Sequence, residues 1–368
     1  MIGIGILGAG YWGPKHVRNF GALPGVRVTM VADLDPGRLR ALAAQHPGLA
    51  TTTDHRALLA DPATAGVVVA TPVSTHARLA REALLAGKHV LVEKPLAASS
   101  RECAELGQLA ARLGRVLMVG HTFVYNPAVG VLRELVAAGE LGELYYAHSQ
   151  RLNLGLFQRD INVLWDLAPH DLSILMHVLG AEPAAVAARG RAHVRRGVED
   201  VAHMELAFPR GVGATVHVSW LDPTKTRRLT LVGSRKMAVY DDLEPVAKVR
   251  VYDKGVDLPP AGAAGEPRPA YRDGATAAPP IPWTEPLRLE CQHFVDCIRT
   301  GAPPLTGPAQ GTRVVRALEA ASASLAAGGA PVPVPPFAEP PGPPAAAVAA
   351  APGLLAPGGP APSNGHRN

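Results

Sequence analysis

Two short groups of residues have the types and spacing for proton handling. Glu93-Lys94-Pro95 follows the apolar run His89-Val90-Leu91-Val92, which reads as a strand. At the carboxyl end of a parallel strand, Lys94 would face a ligand cleft, and its ammonium could stabilise an oxygen that is losing a proton. A cis Lys94-Pro95 peptide would suit a tight functional turn there. The second group, Asp166-Leu167-Ala168-Pro169-His170, puts an acid and a histidine at i and i+4, on one face of a helix. His170 would accept a hydroxyl proton, with Asp166 orienting the imidazole or binding an adjacent hydroxyl. The same pattern also suits a capping aspartate beside a core histidine. Pro169 is expected to break regular geometry, and the competing acid Asp171 should point off the shared face.

Both groups need a frame, and the first turn of the chain suggests one. Gly8-Ala9-Gly10-Tyr11-Trp12-Gly13 follows the apolar run Ile2 to Leu7. Gly8 permits a tight turn, Gly10 lets backbone approach a pyrophosphate, and Gly13 lets a helix pack close to the strand. The helix start would offer free N–H groups to phosphate. Val26 to Ala32 reads as a second strand, ending at Asp33, about twenty residues past the last glycine, where an acid meets ribose hydroxyls. A 2′-phosphate about 4 Å from Asp33 would cost about 4 kcal/mol per charge pair at an effective dielectric near 20. Arg38 would offset part of that and Asp35 would add to it, so NAD is expected over NADP.

Strand and helix patterns alternate over residues 1–121, which predicts a doubly wound parallel α/β domain. From 122 to 330 the pattern changes. Helices at Asn126 to Ala138 and Leu164 to Leu179 precede repeated two-residue alternation through Asp253, as in Ala214 to Trp220, and two helices close the region. An α+β domain with a large, open, mainly antiparallel sheet is predicted. Residues 254–282 read as a long loop. Residues 331–368, rich in Pro, Ala and Gly with only Glu339 and Arg367 charged, read as a disordered tail.

The net charge of +5 is scattered, which argues against a nucleic-acid stripe or a basic membrane helix. Cys103, Cys291 and Cys297 form no C-x-x-C pair, so buried thiols are expected, with neither disulfides nor a structural metal. A first strand starting at residue 2 and the lack of a long apolar run lead to the expectation of a cytoplasmic protein.

The glycine turn, Ala70-Thr71-Pro72-Val73-Ser74-Thr75-His76, Glu93-Lys94-Pro95 and Asp166 to His170 together resemble the glucose–fructose oxidoreductase/inositol dehydrogenase (Gfo/Idh/MocA) family, over about residues 2–328. The resemblance implies a dinucleotide domain joined to an open-sheet domain, and NAD(P)-linked oxidation or reduction of sugars and cyclitols. It assigns catalysis to Lys94, Asp166 and His170. Around the cofactor it places Gly8, Gly10, Tyr11, Trp12, Asp33, Thr71, Pro72, His76 and Glu93. The stretch from Gly120 to His170 is most similar to a branch handling nucleotide-linked sugars in glycan or polysaccharide synthesis, some of whose members carry Asn at the position of Asp166.

Tyr125, Arg151, Asn153 and Asn162 are the candidates for substrate recognition. The leading expectation is a dehydrogenase or reductase acting on a small-molecule sugar or nucleotide sugar. An inositol or free-sugar dehydrogenase and a non-catalytic dinucleotide-binding regulator are the alternatives. Fold likeness implies a homodimer or homotetramer.

Overall fold

The computed structural model describes residues 1–158, 160–257 and 268–337. Six strands, β1 (Ile2–Leu7), β2 (Val26–Ala32), β3 (Ala50–Thr52), β4 (Gly66–Val69), β5 (His89–Glu93) and β6 (Leu117–Gly120), pair in the order β3-β2-β1-β4-β5-β6. Every pairing is parallel. The crossovers are α1 (Gly13–Gly21), α2 (Pro36–Gln45), α3 (His55–Ala60), α4 (Val73–Leu85) and α5 (Ser100–Leu113). β4 and β6 are buried at every position, as a strand covered by helices on both faces must be, and their apolar runs follow from that. All ligand-facing turns therefore leave the same edge, where the strand order changes direction beside β1 and β4.

The second sheet has nine strands in the order β14-β13-β12-β11-β7-β10-β9-β8-β15. They are β7 (Leu144–Leu152), β8 (Ala185–Arg191), β9 (Val201–Ala207), β10 (Gly213–Ser219), β11 (Thr226–Gly233), β12 (Met237–Asp241), β13 (Val249–Asp257), β14 (Ala270–Ala277) and β15 (Val332–Pro333). Among the described residues, only β7 and β10 of this sheet pair in parallel. The helices are α6 (Pro127–Ala137), α7 (Val163–Leu179), α8 (Pro286–Thr300) and α9 (Pro308–Ala326). Met204 and Leu206 of β9, with Val216 and Val218 of β10, join Leu172 and Leu175 of α7 and Leu318 of α9 in one core.

Four expectations are corrected. Residues 254–282 are not all loop: β13 and β14 pair from Val251↔Ala277 to Asp257↔Ala270, with 258–267 outside the described residues. The tail does not begin as disordered chain: Val332 pairs with Val186 and Val334 is buried, while 338–368 lie outside the described residues. α8, expected with the second domain, instead buries Leu287, Cys291 and Phe294 among Ile4, Phe20 and Met118 of the first. Pro169 does not interrupt α7, which runs through it to an αL glycine cap at Gly180. Among the described residues, no helix is long and apolar enough to cross a membrane.

Candidate active site

The ends of β1, β2, β4, β5 and β6 deliver Gly8, Asp33, Thr71, Lys94 and His121 to one edge of the parallel sheet. α7 faces that edge from the second domain. Lys94 Nζ donates to the carbonyl oxygen of Asp166 at 2.6 Å and to its carboxylate Oδ1 at 3.1 Å. Pro169 has no N–H, so the carbonyl of Trp165 lacks its i+4 donor, and the next carbonyl, that of Asp166, receives the lysine. The second carboxylate oxygen, Oδ2, accepts the indole N–H of Trp220 at 2.9 Å. The Lys94–Pro95 peptide is cis.

His170 is buried one turn further along α7. Its Nδ1 has no protein partner, and its ring packs edge-on to Phe123 with centroids 5.0 Å apart. Among the described residues Asp166 makes no hydrogen bond to it. Burial holds the His170 pKa well below the usual histidine value, with help from the positive charges of Lys94, Arg151 and Arg227. The imidazole is therefore neutral at pH 7 and able to accept a proton. His121, also buried with neither ring nitrogen partnered, is pushed down to about 3 by burial and by Lys94.

The glycine turn has a dinucleotide's requirements. Gly8 has φ +102°, and a Cβ there would lie 2.4 Å from the Ala70 carbonyl oxygen; a Cβ on Gly13 would lie 2.1 Å from the Gly8 oxygen. Gly10 differs: a Cβ there would meet only Arg38 Nη1, at 3.9 Å, so the space over it stays open to a phosphate group. Asp33 Oδ2 accepts the Ala9 N–H at 2.6 Å, tying the acid to the turn, and Arg38 Nη1 stands 3.8 Å from it. Tyr11 is exposed beside Trp12, with the Lys15 ammonium 3.4 Å from its ring centroid. These residues fit a bound NAD.

Glu93, Thr71, Pro72 and His76 stand at the same edge, yet three of the side chains are already engaged. His16 Nε2 lies 2.8 Å from Glu93 Oε1, and Thr71 and Thr75 share a hydroxyl hydrogen bond of 2.7 Å. His76 sets one ring nitrogen 2.8 Å from the Pro95 oxygen and the other 2.8 Å from the Thr71 oxygen, so it clasps the β4 and β5 turns together. Burial lowers its pKa, and a neutral ring donates to one of the two oxygens at a time. Pro72 precedes the first turn of α4.

The four expected substrate contacts fare unevenly. The 3-10 turn Thr122–Tyr125 sets the Tyr125 ring 5.4 Å from that of His293 of α8, and its hydroxyl shares a 2.8 Å hydrogen bond with Thr306, between α8 and α9. Arg151 spends Nε and Nη2 on Asp171, at 2.8 and 3.3 Å, so it is no free anchor; its guanidinium lies 4.4 Å from the centroid of Phe123, the ring that supports His170. Asn153 is held through its backbone to Ser219 and Asp222, and its side chain has no hydrogen bond among the described residues. Asn162 caps α7 by accepting the Trp165 N–H and donates to Glu199. It also lines a cleft of about 380 Å³ with Val73, Ser74, Ala98, Asp160 and Trp165.

Sequence reasoning overlooked Trp220, His16, Phe123 and Glu290. Glu290 of α8 is fully buried, accepts the Thr122 hydroxyl at 3.0 Å and leaves Oε1 unpartnered. Burial, then the neighbouring Glu93, raises its pKa well above the carboxylic-acid norm.

Two family models match the chain: the oxidoreductase family, NAD-binding Rossmann fold (GFO_IDH_MocA) over residues 2–121, and the GFO/IDH/MocA C-terminal domain over 129–239. UDP-N-acetylglucosamine 3-dehydrogenase of Acidithiobacillus ferrooxidans is 29% identical, over 85% of this chain and 94% of its own. Inositol 2-dehydrogenase 2 of Saccharopolyspora erythraea is 31% identical and the uncharacterized oxidoreductase YrbE of Bacillus subtilis 28%, each over 58% of this chain. The chain spans 66% and 65% of the length of these two relatives. Among solved structures, GenD2 from gentamicin A biosynthesis, in complex with NAD, superposes with a TM-score of 0.76 at 28% identity, covering 90% of this chain and 96% of that one.

Proposed function

We propose that this chain, which belongs to the GFO/IDH/MocA oxidoreductase family, oxidises a secondary hydroxyl of a nucleotide-linked sugar and passes the hydride to NAD. The observation that carries the substrate class is the similarity to UDP-N-acetylglucosamine 3-dehydrogenase along 85% of the chain and 94% of that relative. The match to inositol 2-dehydrogenase 2 is slightly higher in identity but spans two thirds of that protein, and it favours a cyclitol as the second reading.

The residues would divide the work as follows. Bound NAD supplies the hydride acceptor. Gly8, Gly10 and Gly13 let backbone N–H groups reach its phosphates, Asp33 meets the adenosine ribose, and Tyr11, Trp12, Thr71, Pro72 and Glu93 wall the groove. Lys94 has three N–H donors, and Asp166 takes two of them. The third is left for the substrate oxygen, where a fixed positive charge stabilises the developing alkoxide. His170, kept neutral by burial and by the cations around it, accepts the hydroxyl proton. Asp166 orients the lysine rather than the imidazole, which departs from the orienting role expected from its i, i+4 spacing. Asn162 and Trp165 border the cleft through which a sugar would enter. In reduction each proton step runs backwards.

A panel of UDP-N-acetylglucosamine, other nucleotide sugars, free sugars and inositol, followed by nicotinamide absorbance at fixed NAD, tests this reading. NADH formation with nucleotide sugars is expected. Turnover of inositol or free sugars alone would replace it with the second reading, and flat traces with every compound would overturn the enzyme assignment.

A further inference from the structure

Trp220 stands immediately after β10, in the second domain, yet its indole N–H ends on the carboxylate that holds Lys94. The two oxygens of Asp166 are divided: Oδ1 lies against the ammonium at 3.1 Å, and Oδ2 receives Trp220 at 2.9 Å. A carboxylate bound at one oxygen can rotate about its Cβ–Cγ bond, whereas one bound at both has a single orientation. The indole itself cannot drift. Its residue donates its backbone N–H to the Asp200 oxygen and accepts the Gly155 N–H, both at 2.8 Å. Phe157 packs against the ring with centroids 5.5 Å apart, and Gly155 approaches so closely that a Cβ there would lie 2.9 Å from Trp220 Cδ1. The side chain is 1% exposed, so the N–H has no competing water.

We infer that Trp220 is a positioning residue for Lys94, acting through the Asp166 carboxylate and tying the position of the ammonium to the nine-stranded sheet. The inference rests on the reading that Lys94 meets the substrate oxygen. An ammonium that must stand opposite a reacting carbon has to be held to within a few tenths of an ångström, by partners that are themselves locked. Asp166 lies in the first turn of the helix that carries Pro169, and the indole fixes the orientation of its carboxylate. Gly155 gains a purpose in the same arrangement, since a larger residue would displace the ring.

The test needs no substrate. A lysine amine must leave its hydrogen-bond partners to be carbamylated by cyanate, and the carbonyl and carboxylate of Asp166 hold the Lys94 amine at 2.6 and 3.1 Å. The rate of Lys94 carbamylation, read by peptide mass spectrometry on the full-length protein, therefore reports the Asp166 contact. Trp220→Phe removes the N–H and keeps an aromatic ring; it should speed labelling of Lys94 about five- to tenfold, the scale of one charged hydrogen bond weakened. In an Asp166→Ala background the same change should add nothing. If Trp220→Phe fails to fold, benzothienylalanine at position 220, isosteric with tryptophan but without the N–H, carries the same expectation. Unchanged labelling in the variant, or equal acceleration with and without Asp166, would overturn the inference, the latter because the site would merely have been opened. Either result is independent of the outcome of the substrate panel.

Discussion

Lys94 and Asp166 meet at two points, the ammonium donating to the helix carbonyl at 2.6 Å and to the carboxylate at 3.1 Å. The pair is largely buried, with side-chain exposures of 9% and 18%. It joins the end of a parallel strand in one domain to the first turn of α7 in the other, and it leaves one N–H of the lysine uncommitted among the described residues. Replacing Lys94 by Met keeps the length of the side chain and removes the charge. Turnover should fall by about 10²–10³, the usual loss on removing one oxyanion donor, while NAD affinity measured by titration stays near wild type. Normal turnover in Lys94→Met would take the ammonium out of the chemistry.

His170 offers a separate test through pH. The proposed base role requires the neutral ring, and the cause of its lowered pKa is burial first, then Lys94, Arg151 and Arg227. Because the shift is downward, the ring stays neutral as pH falls through 6.5, and the acid limb of kcat/KM should lie below that value. His170→Asn should lose about 10²–10⁴ in rate, the range for a positioned base, and should lose that limb as well. A wild-type limb at or above pH 6.5, or one that survives the substitution, would assign the proton to another group.

Local spacing carried the glycine turn, Asp33 and the strand-end lysine, because each is specified by neighbours within one βα unit. Partnerships between distant segments were not legible. Asp166 and His170 share a helix face as their spacing requires, but the acid's partners, Lys94 and Trp220, lie 72 and 54 residues away. Nothing near Arg151 announced its ion pair with Asp171 either. The partner of the Tyr125 hydroxyl, Thr306, lies 181 residues away. β14 escaped notice for a different reason. Its residues, Ala-Tyr-Arg-Asp-Gly-Ala-Thr-Ala, are almost all exposed, so backbone pairing at a sheet edge leaves no apolar alternation to read.

Asp33→Ser should shift cofactor preference toward NADP. The wild-type carboxylate accepts two backbone N–H bonds, from Ala9 at 2.6 Å and Asp35 at 2.8 Å, and this fixes it beside the glycine turn. Removing its charge relieves repulsion of about 4 kcal/mol per charge pair at 4 Å, less what solvent screens. Arg38, now 3.8 Å from Asp33, would then be available to a 2′-phosphate. The ratio of NADP to NAD affinity should rise by about ten- to a hundredfold, since each 1.4 kcal/mol is tenfold. An unchanged ratio in fluorescence titrations would place discrimination elsewhere.

Glu290 makes a prediction about stability rather than rate. It is fully buried and its pKa is raised, by burial and then by Glu93, so the folded protein keeps it protonated while the unfolded chain ionises it above about 4.5. Below that pH both states hold the proton and nothing is lost. As pH rises from there toward the folded value, the unfolded state binds fewer protons, and folding loses about 1.4 kcal/mol per pH unit from this group. Glu290→Gln is neutral at every pH and keeps an acceptor for Thr122. Its Tm should match wild type near pH 4.5 and exceed it increasingly as pH rises from there toward the folded-state value. A difference that stayed constant with pH would mean that Glu290 is ionised in the folded protein, with its charge balanced by a partner other than Thr122.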